Sequence, residues 1–249
     1  KWVTILKNNQ KAITKDKMHI MLTRPLEDST ELILKFKSLG HKVSHLPVIK
    51  INKIELLNLD FANYAGIIFT SANAVKNLDT KSIKKNIYCF CVGFATEKQA
   101  LKKGFQNIYS AGGNVENLKE IILQNFNKNN GKLLYISGEI ITSNLHTQLI
   151  DEDYKVERVV NYSVEHISKF SLKFIDELKQ TMPDIIYVYS QNSAKSLLNI
   201  IKKYELVDYW MNTNLMCIGE KTSSILNEIK WKKIFLFSPG EEEFLLYKI

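Results

Sequence analysis

Short β-rich apolar runs that end in small polar residues, and that recur in the same order in two parts of the chain, constrain this sequence more than any other feature. Gly66-Ile67-Ile68-Phe69-Thr70-Ser71-Ala72-Asn73-Ala74 reads beside Ile185-Ile186-Tyr187-Val188-Tyr189-Ser190-Gln191-Asn192-Ser193, which aligns Ser71 with Ser190. Farther on, Val92-Gly93-Phe94-Ala95-Thr96 matches Ile218-Gly219-Glu220-Lys221-Thr222, and Ala111-Gly112-Gly113 stands where Ser238-Pro239-Gly240 stands in the second copy. A weaker match sets Ile20-Met21-Leu22-Thr23-Arg24 beside Leu133-Leu134-Tyr135-Ile136-Ser137. Ordered matches at strand ends are uncommon by chance and indicate a duplicated α/β unit.

Between the apolar runs lie segments with i, i+3, i+4 apolar spacing or flanking turn residues, the alternation expected of parallel sheets with helices on both faces. Strands are predicted at 19–23, 42–46, 65–70, 87–92, 106–110, 132–136, 156–160, 184–189, 214–218 and 233–237, with helices between them, among them 142–152, 220–229 and 241–247. That number suits two five-stranded parallel sheets better than one, and 249 residues suffice for two cores. Leu46-Pro47-Val48-Ile49-Lys50-Ile51 and Val160-Asn161-Tyr162-Ser163-Val164-Glu165 are extended, lack helical periodicity and occupy corresponding places, so they read as paired linkers. The resulting division gives residues 18–46 plus 168–249 as one discontinuous domain, 50–161 as the other, 47–49 and 162–167 as linkers, and 1–17 as an N-terminal extension.

Charge and cysteine usage narrow the function classes. Of 34 basic residues only Arg24 and Arg158 are arginine, the usual residue for bidentate phosphate and base recognition, so a nucleic-acid reader is not expected. Lys1, Lys7, Lys11, Lys15 and Lys17 against Asp16 place half of the net charge of +8 in residues 1–17. No apolar run approaches the length of a spanning helix, and Cys89, Cys91 and Cys217 lie in strand-like runs without zinc or disulfide spacing. The five histidines are scattered. A soluble, cytoplasmic protein with buried thiols, no metal and no membrane contact is expected.

In open parallel sheets, ligands gather beyond the carboxyl ends of the strands, where helix N-termini present unpaired N–H groups. The repeated polar positions fall there: Thr70, Ser71 and Asn73; Gly93 and Thr96; Ser137 and Gly138; Ser190, Asn192, Gly219 and Thr222. Each alone is equally a helix cap, because Ser, Thr and Asn are preferred there. As a matched set around a two-domain cleft they suit a large anionic ligand held by many modest contacts. Phosphate-loop, dinucleotide, nucleophile-elbow and paired-carboxylate patterns are missing, which favours catalysis by orientation.

Thr23-Arg24-Pro25, Phe69-Thr70-Ser71-Ala72-Asn73-Ala74-Val75, Val92-Gly93-x-x-Thr96, Tyr162, Ser190-Gln191-Asn192-Ser193-Ala194 and Ile218-Gly219-x-x-Thr222 together resemble the uroporphyrinogen-III synthase family over residues 18–249. The resemblance implies an α/β fold of two flavodoxin-like domains, each with a parallel five-stranded sheet, joined by a two-stranded β linker. It implies a lyase that takes hydroxymethylbilane, a linear tetrapyrrole with eight carboxylates, to uroporphyrinogen III with loss of water and inversion of ring D. No cofactor is implied. Tyr162 matches the residue nearest to an acid for departure of the hydroxyl, its alternative being an aromatic that packs between domains. Arg24, Thr70, Ser71, Thr96, Ser137, Gly138, Ser190, Gln191 and Thr222 match positions that hold acetate and propionate groups. One departure stands out: many bacterial relatives carry Arg before the glycine aligned with Gly138, and this chain has Ser137. A monomer is expected, with transient contact to hydroxymethylbilane synthase. Two other readings stay open: a non-catalytic two-domain binder of an anionic small molecule, and a sugar-phosphate isomerase, for which Glu139 and Glu220 offer no matched pair.

Overall fold

Runs rich in β-branched and aromatic residues, four to eleven long, form the strands of the computed structural model, which describes residues 17–238 and 241–242. In chain order these residues form β1 His19–Leu22, α1 Leu26–Ser38, β2 Lys42–His45, β3 Ile49–Lys53, β4 Tyr64–Phe69, α2 Ala72–Lys76, β5 Tyr88–Cys91, α3 Phe94–Lys102 and β6 Asn107–Ser110. There follow α4 Val115–Asn125, β7 Lys132–Gly138, α5 Leu145–Asp151, β8 Val156–His166, α6 Leu172–Gln180, β9 Ile185–Val188, α7 Gln191–Lys203, β10 Asn214–Ile218, α8 Glu220–Ser223 and β11 Lys233–Phe237. The predicted extension up to Asp16, the Pro239-Gly240 turn and the predicted helix beyond Glu242 lie outside the described residues. Described residues up to Val48 and from Ser168 onward form one compact unit, and Ile49–Ile167 form a second.

The first unit is a five-stranded sheet in the order β11-β10-β9-β1-β2 with every pairing parallel. All four residues of β9 are buried, as a strand covered by helices on both faces must be. Ile20, Leu22, Phe36, Ile185, Tyr187, Met216 and Phe237 fill one face, with Phe36 stacked on Tyr187 at 5.8 Å and Phe237 edge-on to Tyr187 at 5.6 Å. Where β1 ends, buried Thr23 donates its hydroxyl to Tyr187 O at 2.6 Å and so ties the two central strands together at their carboxyl ends.

The second unit is a six-stranded sheet in the order β3-β8-β7-β4-β5-β6. Period-two alternation sorts its core residue by residue: Ile67, Phe69, Cys89, Cys91, Leu134 and Ile136 face one side, and Ile68, Phe90, Leu133 and Tyr135 the other. Cys89, Cys91 and Cys217 are all free and buried. The repeated segments take equivalent places in the two sheets. β4 and β9 are central, β5 and β10 follow on one side, β6 and β11 close that edge, and β7 and β1 flank the centre on the other side.

Two details differ from the sequence expectation. The second sheet has six strands, not five, because the extended segments read as linkers join it: β3 runs antiparallel to the last five residues of the eleven-residue β8, Ile49 opposite His166 and Lys53 opposite Tyr162. The cause is alternation. Ile51 and Val164 pair across the ladder and pack on the core, while exposed Lys50 and Glu165 lie opposite each other with a 3.8 Å ion pair. The helix predicted over 220–229 is a four-residue α8 followed by a 3₁₀ turn at Ser224–Leu226. Ser223 and Ser224 bond back to the carbonyls of Glu220 and Lys221, the local competition that makes serine a poor helix interior. The helix read over 142–152 is present as α5, with Asn144 at its N-cap.

Candidate active site

The carboxyl ends of β4 and β7 and the middle of β8 bring five of the sequence-predicted residues into one polar cluster in the second unit. Thr70 leaves β4 and shares a 2.9 Å hydrogen bond with the Tyr135 hydroxyl. Ser71 caps α2 by accepting Asn73 N–H at 3.2 Å, as an N-cap serine should. Ser137 is buried near the end of β7 and donates to Gly138 O at 3.0 Å. Tyr162, on β8, stands opposite Gly138 beyond a register shift at Ser137/Gly138.

Tyr162 is buried to 8% exposure against Ile67, Phe69, Val75 and Ile136. Its phenol lies directly over the end of β7: a Cβ on Gly138 would fall 2.7 Å from Tyr162 Cζ and 2.9 Å from its oxygen. Only glycine leaves room for that ring. Burial raises the Tyr162 phenol above its ordinary range, and a hydrogen bond with Ser71 offsets part of the rise. Ser71 Oγ also accepts Asn73 N–H, which leaves it both a proton and a second lone pair, so either hydroxyl can be the donor in its bond with the phenol. The phenol is therefore neutral at physiological pH and oriented, the state a proton donor needs.

Farther along the same edge, Thr96 sits buried in the first turn of α3, whose N-cap is Gly93. Gly93 also has a packing reason, since a Cβ there would lie 2.8 Å from the backbone of Gly113. In the first unit, Ser190 caps α7, accepting Ser193 N–H at 3.1 Å and sharing 2.9 Å with the Ser193 hydroxyl. Gln191 is half-buried in the first turn of α7, and Thr222 is buried in α8. Arg24 follows β1 with its guanidinium carbon 4.5 Å from the centre of the Tyr189 ring and 3.9 Å between its Nη2 and Asp28 Oδ2.

Four residues that sequence reasoning did not single out belong to these edges. Tyr135 anchors Thr70. Arg158, on β8, donates from Nε to Ser137 Oγ at 2.8 Å and from Nη2 to Gly138 O at 2.8 Å and Glu139 O at 3.0 Å. Asn161 is fully buried and holds Ala74 O at 2.7 Å through Nδ2, while its Oδ1 has no partner among the described residues. Tyr189 has a buried hydroxyl and a phenol that burial holds well above its usual value. The available signal was the rarity of arginine; what hid the rest was that strand register, invisible in the sequence, decides which side chains meet.

Two α/β sheets, one wholly parallel and the other parallel but for β3, each ending in hydroxyls, glycines and helix caps, define the open α/β class of protein, in which ligands gather at the carboxyl ends of the strands. A family model described as Uroporphyrinogen-III synthase HemD matches residues 30–238. The chain belongs to that family, which places it among the lyase-type enzymes of tetrapyrrole biosynthesis. It is 25% identical over 255 residues to Uncharacterized protein RP474 of Rickettsia prowazekii (strain Madrid E), covering 83% of this chain and 88% of that protein. Its fold is similar to the crystal structure of uroporphyrinogen-III synthetase from Helicobacter pylori 26695, at 20% identity and a TM-score of 0.61 over 93% of this chain and all of the other. It is also similar to a mutant uroporphyrinogen III synthase from the extremely thermophilic bacterium Thermus thermophilus, at 13% identity and a TM-score of 0.59, covering 93% and 97% of the two chains. Among the described residues no helix is long and apolar enough to cross a membrane.

Proposed function

We propose that the protein closes hydroxymethylbilane to uroporphyrinogen III, with Tyr162 as the proton donor that assists loss of the terminal hydroxyl. The observation that carries the assignment is the Tyr162 phenol itself, buried, neutral, hydrogen-bonded to Ser71 and seated over Gly138, so that it holds a proton to give. Departure of water leaves an azafulvene; the substituted carbon of ring D attacks to form a spiro intermediate, which fragments and recloses with that ring inverted. None of these steps needs a strong base, and the strand ends offer hydroxyls and amides in place of one. Thr70, Ser71, Thr96, Ser137 and Gly138 in the second unit, with Arg24, Ser190, Gln191 and Thr222 in the first, are proposed to hold the carboxylates. Holding a flexible bilane in one geometry lowers the barrier to one closure over another, and each tenfold of selectivity needs about 1.4 kcal/mol.

The test is to supply hydroxymethylbilane and resolve the uroporphyrin isomers after oxidation. Type III isomer formed faster than spontaneous closure supports the proposal; type I isomer alone at the spontaneous rate overturns it.

A further inference from the structure

We infer that Arg158 is a substrate-binding residue, its guanidinium set at the end of β7 to receive one carboxylate of the polyanion. The inference deepens the proposed function and rests on it. Arg158 starts opposite Tyr135 in the β7–β8 register, yet its head group reaches the end of β7. Three of its N–H groups are spent on neutral oxygens: Ser137 Oγ, Gly138 O and Glu139 O, at 2.8 to 3.0 Å. Those bonds fix the plane of the guanidinium while leaving its full charge uncompensated, for no carboxylate among the described residues pairs with it.

The Nη1 amino group has no acceptor among the described residues, so it remains for an incoming oxygen. Its charge also reaches the Tyr135 phenol, opposing the rise that burial causes, which places Arg158 beside the Thr70–Tyr135 pair. A long cationic side chain held by three neutral acceptors has lost its rotamer freedom before any ligand arrives, and that is the preorganised state in which one charge-assisted hydrogen bond discriminates best. Arg24 contrasts with it, because Asp28 stands beside its guanidinium.

The alternative is that Arg158 only staples the carbonyls where β7 ends. Arg158→Gln and Arg158→Lys separate the two roles when KM, kcat, melting temperature and direct binding of uroporphyrin, an octacarboxylate probe, are read together. Carboxylate binding predicts a KM and a probe Kd raised about tenfold or more in Arg158→Gln, partly recovered in Arg158→Lys, with kcat changed less and a weaker dependence of KM on salt than in the unaltered chain. An unchanged probe Kd in Arg158→Gln overturns the inference, as does a fall in melting temperature and kcat at constant KM. Because the probe reports binding without turnover, a chain that binds uroporphyrin through Arg158 but yields only type I isomer would sink the proposed reaction while leaving the arginine assignment standing.

Discussion

The ends of β1 and β7 occupy the same place in two copies of one plan, and each has one of the chain's two arginines nearby, yet they are built oppositely. In the first unit Arg24 follows its own strand, holds its guanidinium carbon 4.5 Å from the centre of the Tyr189 ring and faces Asp28 at 3.9 Å, so part of its charge is answered within the protein. In the second unit the arginine comes from the neighbouring strand and, among the described residues, bonds only to neutral oxygens, so it keeps its charge. The tyrosines differ too: Tyr162 packs onto the end of β7 through a glycine that makes space, whereas Tyr189 lies beneath the arginine. Duplication supplied two similar edges, and side-chain register made one of them a firmer anchor than the other.

The largest effect that would sharpen this contrast is expected from Gly138→Ala. The new methyl would displace the Tyr162 ring, and a displacement near 1 Å at a reacting group costs about a hundredfold in rate; kcat falling less than threefold would show that the phenol does not need its seat. Tyr162→Phe should lower kcat by about tenfold or more with unchanged uroporphyrin binding. Unchanged turnover would remove Tyr162 from the chemistry.

Smaller effects test the other repeated positions. Gly93→Ala meets the Gly113 backbone at 2.8 Å and should lose about 1–3 kcal/mol of stability by overpacking. Its counterpart Gly219, at φ 71° with open space around it, should lose only about 1 kcal/mol from backbone strain. Urea unfolding of both variants checks the order. Arg24→Gln is expected to raise KM less than about threefold, because Asp28 already stands beside its guanidinium and leaves less of its charge for a ligand. A larger effect at Arg24 than at Arg158 would reverse the comparison.

The smallest effect concerns pH. Burial raises the phenols of Tyr162 and Tyr189 above the value of about 10 that they have in the unfolded chain, so both stay neutral in the fold after the unfolded chain has begun to ionise. Their contribution to stability is complete below pH ~10 and is lost as pH rises from there through the folded values. Thermal melts from pH 8 to 11 should show a declining limb that Tyr162→Phe and Tyr189→Phe each flatten.

Much of the plan was legible because parallel strands buried on both faces read as continuous apolar runs, and because Ser71 and Ser190 do at strand ends what such residues do best, cap helices. Arg158 escaped because it stands mid-strand in Val156-Glu157-Arg158-Val159. Nothing local says that its head group crosses to β7 and ends beside Ser137. The register of β3 against β8 was hidden for a related reason, since two segments that read as paired linkers more than a hundred residues apart carry no mark of which residue faces which.

The place of β1 between β2 and β9 also has a consequence for how the chain becomes a protein. Ile20 pairs with Ile185, 165 residues downstream, so as the chain leaves the ribosome β1, α1 and β2 emerge with half of their sheet still unmade. The second unit is contiguous and is complete well before β9 appears. It is expected to fold first during synthesis while the opening strand waits, a long-range closure that makes the first unit the slower partner.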